Sequence, residues 1–165
     1  MNVSEIMTTA PITVSRDTPV NEVARLISER QVSGVPVVEA DGTLVGMVTE
    51  EDLIVRNANL HLPTVLTFLD GLIPLRGQHK FKDELRHVLA TRADEVMREH
   101  LYTIGADTDV ADAATLMIDK HVNPLPVVED GRLVGVLSRV DIVRLMVRLD
   151  AASSGPSSDA AATGA

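Results

Sequence analysis

The sequence predicts an α+β fold made of two tandem β-α-β-β-α units, packed as a pair, with a helical insert between them. Two observations carry this. The first is an internal repeat. Sliding the 165-residue chain by 90 positions aligns Glu5-Ile6-Met7 with Glu95-Val96-Met97, Asp17-Thr18 with Asp107-Thr108, and Val32 with Val122. Pro36-Val37-Val38-Glu39 falls on Pro126-Val127-Val128-Glu129. One residue then drops out at Ala40-Asp41-Gly42 against Asp130-Gly131, and Leu44-Val45-Gly46 falls on Leu133-Val134-Gly135 at an offset of 89. Of 51 aligned positions 19 are identical, in unbroken order. The second observation is size. One unit of about 55 residues is too small to bury its own sheet face, so the two copies are expected to pair.

Each element has a local reason. Ile12-Thr13-Val14 reads as a short β-branched strand, and Tyr102 to Ile104 as its counterpart. Thr18 before Pro19 reads as a helix start with proline at the first helical position. Thr108-Asp109 does the same in the second copy. Val20, Val23, Ala24 and Ile27 recur at helical spacing to about Arg30, as do Val110, Ala113, Ala114 and Met117. Val35–Val38 reads as a buried strand, Asp41-Gly42 and Asp130-Gly131 as hairpin turns, and Leu44–Val48 as the returning strand. A second helix starts at Thr49 or Ser138.

This divides the chain into residues 1–56, an insert 57–92, residues 93–148 and a tail 149–165. In the insert, residues 60–75 are apolar but broken by proline and glycine. Residues 78–92 read as a helix with Phe81, Leu85, Val88 and Leu89 on one face. The four parts carry formal charges of −5, +2, −4 and −2, so the insert is the only basic part of an acidic chain. It is read as a connector packed on the pair, with a surface for a protein partner as the alternative. The Ala/Ser/Gly tail is expected to be disordered.

Composition excludes several functions. The net charge of −9 argues against DNA as a partner, because phosphate binding by counterion release needs a basic surface. There is no cysteine, which removes disulfides, thiolate metal sites and cysteine nucleophiles. The five histidines lack ligand spacing, so no metal site is expected. No stretch approaches the ~18 apolar residues of a membrane span, and the first residues have no basic leader, so a cytoplasmic setting is expected. With aromatics at only 2%, the core must be aliphatic.

The most specific motif is G-x-x-[ST]-x-x-D at the strand-to-helix junction: Gly46 to Asp52, and Gly135 to Asp141. Its plain reading is a capping box, with hydroxyl and carboxylate satisfying free N–H groups. The same geometry suits a nucleotide, since a helix N-terminus favours anions and a carboxylate accepts both ribose hydroxyls.

Together, the paired units, V-x-x-[LV]-P-V-V-E, D-G and G-x-x-[ST]-x-x-D resemble the cystathionine β-synthase (CBS) domain pair, or Bateman module, of the stand-alone prokaryotic type. The resemblance covers residues 3–56 and 93–148. It implies that the two motifs pack about a pseudo-two-fold axis and leave two clefts for adenosine-containing ligands. One cleft would use Tyr102, Val122 and Asn123 with Met47, Thr49 and Asp52. The other would use Ile12, Val32 and Ser33 with Val136, Ser138 and Asp141. The apolar residues would hold the base, Asp52 or Asp141 the ribose, and Thr49 or Ser138 phosphate-side oxygens. Arg139 would reach a phosphate where its counterpart Glu50 does not, which favours the Ser138–Arg139–Asp141 cleft for a charged ligand. Some relatives carry His-Arg where this chain has Ser33-Gly34 and Asn123-Pro124. Phosphate affinity would then rest on Arg139, helix N-termini, or Lys80, Lys82 and Arg86 of the insert.

The expected function is therefore regulatory and non-catalytic. The chain would sense AMP, ADP or ATP as ligand and need no cofactor. S-adenosylmethionine, NAD and cyclic di-AMP are alternative ligands. No nucleophile–base set stands out, and symmetric copies do not suggest an enzyme. A homodimer is expected from the resemblance, with Leu53, Ile54, Ile142 and Leu145 as contacts or as intrachain core. The competing reading is a structural homodimeric scaffold with empty clefts, in which Thr49, Asp52, Ser138 and Asp141 only cap helices.

Overall fold

In the computed structural model, residues 1–59 and 92–153 are described. Each copy contributes a helix, a two-stranded antiparallel hairpin and a second helix. In the first copy these are α1 (Val20–Arg30), β1 (Gly34–Val38), β2 (Leu44–Thr49) and α2 (Glu50–Asn59). In the second they are α3 (Val110–Asp119), β3 (Leu125–Glu129), β4 (Arg132–Leu137) and α4 (Arg139–Ser153). The insert helix and most of the tail lie outside the described residues.

Two sequence expectations are corrected. Val14 and Ile104 are not in laddered strands. Each makes a single parallel bridge, to Val37 and Val127. The cause is local: Val14 exchanges two hydrogen bonds with Pro36 and Val38, at 3.0 and 2.9 Å, and the chain then turns at Ser15–Thr18. The first helix does not begin at Pro19. Pro19 has extended backbone (ψ 139) and stands at the N-cap, outside the helix. In the second copy Asp109 takes that place and accepts from the Ala111 N–H at 2.8 Å.

The one-residue gap between the copies has a conformational cause. Asp130 and Gly131 both have positive φ (48° and 77°), as the two-residue turn joining β3 to β4 requires. The first copy uses three residues, Ala40-Asp41-Gly42, with only Gly42 at positive φ (86°). The hairpin tips then meet. Leu44 N–H donates to Gly131 O at 3.2 Å and Leu133 N–H to Gly42 O at 3.1 Å.

The cores are exchanged between copies. Each copy is preceded by a short 3₁₀ turn, Val3–Glu5 or Ala93–Glu95. Val3 is fully buried among Ile104, Val110, Ala113, Met117, Leu125 and Leu137 of the second copy. Ala93 is fully buried among Val14, Val23, Ile27, Val35 and Val48 of the first. The backbone bonds repeat across the axis. Val3 N–H donates to Thr108 O at 2.9 Å and Ala93 N–H to Thr18 O at 2.8 Å. Thr8 pairs with Val136, and Arg98 with Met47.

Several repeat identities follow from this exchange. The Glu5 carboxylate accepts from the Asn2 N–H at 2.6 Å and Glu95 from Arg92 N–H at 3.4 Å, each tying down its 3₁₀ turn. Met97 lies over Gly46 and Met7 over Gly135. A Cβ at Gly135 would stand 2.5 Å from Met7 Sδ, and one at Gly46 would collide with Met97. Glycine is needed here for close approach.

Candidate functional site

The hairpins deliver their last strand residues to the helix starts that the motif marks. Ser138 ends the extended stretch after β4. Both its N–H and its hydroxyl donate to Asp141 Oδ2, at 2.8 and 2.6 Å. Thr49 does the same toward Asp52 Oδ2, at 2.9 and 2.6 Å, and the Asp52 N–H reaches back to Thr49 Oγ1 at 3.4 Å. The hydroxyl and carboxylate therefore form a capping pair in both copies. In each carboxylate the second oxygen, Oδ1, is left to other partners.

Two clefts flank these pairs. The second cleft, about 320 Å³, brings together Ile12, Val32, Ser33, Val136, Ser138 and Asp141, all six residues expected of it. Its volume lies at the lower end of the range for small-molecule pockets. Arg30 and Arg144, not singled out from the sequence, also line it. Asp141 is the one buried charged residue among those described, at 8% exposure. Its Oδ1 meets Arg144 Nη1 at 3.3 Å, and the Arg144 side chain is itself 71% exposed.

The first cleft, about 350 Å³, brings together Tyr102, Val122, Asn123, Met47 and Thr49 as expected. Arg139 lines this cleft, not the one containing Ser138 and Asp141. The reason is its helical position. Its N–H donates to Asn123 Oδ1 at 3.0 Å, which turns the first residue of α4 toward the first cleft while Asp141, two residues on, faces the second. Asp52 is not on the wall of this cleft. Arg98 covers it, with Nε donating to Asp52 Oδ1 at 2.5 Å and Nη2 to Glu51 Oε2 at 2.8 Å. Hydrogen bonds first to Glu51 and then to Asp52 hold the guanidinium above its ordinary pKa. Tyr102 is 47% exposed, and Lys120 Nζ stands 5.8 Å from its ring centre.

Arg98 and Lys120 were not legible as site residues from motifs. The signal was a mismatch in the repeat: Thr8 aligns with Arg98, one position past the shared methionine. Asp17 lies in the turn before α1 and accepts from Arg92 Nη1 at 2.9 Å. The expected phosphate contacts Lys80, Lys82 and Arg86 lie outside the described residues. Among those described, no group of three or more His, Asp or Glu is placed to hold a metal.

The family model for the CBS domain matches residues 3–58 and 93–148, the two repeats. The chain belongs to the CBS domain family. It is 33% identical over 147 residues to protein MJ1426 of Methanocaldococcus jannaschii, covering 83% of this chain and 86% of that protein. Among solved structures, the CBS-pair protein CBSX2 of Arabidopsis thaliana in complex with AMP is 25% identical, with a TM-score of 0.68 over 90% of this chain and 98% of that one. The CBS domain pair of protein MJ0100, in complex with 5′-methylthioadenosine and S-adenosyl-L-methionine, is 23% identical, with a TM-score of 0.67 over 88% of this chain and 99% of that one, and shows the shared fold. No helix among the described residues is long and apolar enough to cross a membrane.

Proposed function

We propose that this CBS pair is a regulatory module that binds an adenosine-containing ligand, with AMP the first candidate, in the cleft of Ser138 and Asp141, and relays occupancy to a partner. The observation that carries the reading is the convergence in one cleft of apolar residues from the first copy (Ile12, Val32) with a buried carboxylate from the second (Asp141). In this reading the apolar walls hold the base and Asp141 Oδ1 accepts the ribose hydroxyls. The Ser138 hydroxyl lies on the phosphate side, and Arg30 and Arg144 supply the positive charge that Arg139 does not. The AMP complex of CBSX2, 25% identical, supports AMP as the first ligand to test.

The reading assigns no catalytic residue and needs no cofactor. It also makes the chain a homodimer, through the outer face of α4. Val140, Val143, Met146 and Val147 are 52–65% exposed along that helix. Leu145 is buried and Ile142 packs against the core of its own copy, as Leu53 does in the other, while Ile54 is 66% exposed. The relay would run through that face or through the insert 57–92.

A thermal-shift panel of AMP, ADP, ATP, NAD, S-adenosylmethionine and cyclic di-AMP tests the reading. A ligand at about 100 times its Kd stabilises the fold by roughly 2.7 kcal/mol. A shift with AMP that is absent in Asp141→Ala supports the sensor. No shift with any of the six supports a structural scaffold whose carboxylates only cap helices.

A further inference from the structure

We propose that Arg98 is a latch that closes the first cleft to nucleosides, so that the two clefts of one chain fill unequally, the Asp141 cleft first. This rests on the adenosine-ligand reading above and adds to it the order of filling and the residue that sets it. The two ribose carboxylates have the same capping geometry but different second partners. Asp52 Oδ1 is held by Arg98 Nε, and the same guanidinium is anchored by Glu51 Oε2 at 2.8 Å. A ribose hydroxyl must break that fork before it can donate to Asp52. Asp141 Oδ1 faces only an exposed guanidinium at 3.3 Å, at the outer limit of a hydrogen bond.

The difference is built into the repeat. Arg98 and Thr8 occupy equivalent places, each pairing through its backbone with the strand that leads to the motif: Arg98 with Met47, Thr8 with Val136. A threonine side chain cannot reach the carboxylate as arginine does. On the base side of the same cleft, Lys120 Nζ stands 5.8 Å from the Tyr102 ring centre. Charge-assisted forks of this kind are stronger than neutral hydrogen bonds, and exposure weakens them. Arg98 is 46% exposed on its side chain and Asp52 only 10%, so the latch is displaceable rather than permanent.

The test is isothermal titration of the full chain with AMP, for the wild type, Arg98→Thr, Arg98→Lys and Asp141→Ala. Thr8 shows that threonine fits this backbone setting, and circular dichroism confirms folding of each variant. The wild type is expected to bind one AMP per chain tightly, with the tight site lost in Asp141→Ala. Arg98→Thr should tighten the second site by about tenfold, the scale of one charge-assisted contact. Arg98→Lys, which keeps the charge and loses the fork, should fall between them. Two equal sites in the wild type, or a second site unmoved by Arg98→Thr, overturns the latch and leaves the sensor reading standing. No AMP binding in any variant overturns both.

Discussion

Val3→Ala tests the exchange of segments between the two copies, and its cost can be worked from the packing. Val3 lies at the start of the chain, yet it is fully buried in the core of the second copy, against Ile104, Val110, Ala113 and Met117. The substitution removes two methyl groups. Transfer alone is worth about 0.8 kcal/mol for each, and the unfilled space adds to it, giving roughly 2–3 kcal/mol. For a chain of this size that lowers Tm by roughly 5–10 °C. Ser4→Ala is the control. The Ser4 side chain is exposed and only its backbone N–H is used, donating to Ala106 O at 2.9 Å, so the change should stay within about 0.5 kcal/mol. Urea denaturation followed by far-ultraviolet circular dichroism is the suitable assay, since the chain has no tryptophan. A Val3→Ala loss below about 0.5 kcal/mol would refute the docking of this segment into the second core.

Two further predictions concern packing and charge. Gly135→Ala drives a methyl group against Met7 Sδ and the Thr8 carbonyl, and should cost about 1–3 kcal/mol in the same denaturation assay. Measured in a Met7→Ala background, the cost of Gly135→Ala should be smaller, because the Sδ contact is gone and only the Thr8 carbonyl is left in the way. Asp109 is held below the usual carboxylate value, first by the Ala111 N–H and then by the terminal ammonium of Met1, which lies 3.2 Å away. A depressed folded pKa gives stability that is present above the unfolded value and is lost as pH falls through the folded one. The acid limb of a stability–pH curve, below about pH 4, should therefore be shallower in Asp109→Asn than in the wild type.

The repeat made most of the fold legible. The order of elements, the hairpins and the one-residue gap could be read because they depend on local turn chemistry and on period. The exchange of Val3–Met7 and Ala93–Met97 between cores could not, because an identical pair such as Met7 and Met97 looks the same whether each packs on its own copy or on the other. Pro19 misled for a related reason: its fixed φ suits both the first helical position and the N-cap, and ψ decides between them. At the site, the capping pairs were legible because the motif fixes them, whereas the apolar walls of the second cleft were expected only from the family resemblance. Arg139 was misplaced: it stands two positions before Asp141 on the same helix, about 200° round its axis, so the rotation that brings Asp141 to the second cleft turns Arg139 to the first. Arg98 was visible only as a departure from symmetry, and its meaning depends on Glu51 and Asp52 standing within reach.

The central claim is that an adenosine ligand enters the cleft of Asp141. An amide ¹H–¹⁵N NMR titration with AMP tests it most directly. The account predicts that the first amides to shift are those of Ile12, Val32, Ser33, Ser138 and Asp141, with Thr49 and Asp52 following only at higher AMP. Shifts that begin at Thr49, Asp52 and Tyr102, or a spectrum that AMP leaves unchanged, would contradict it.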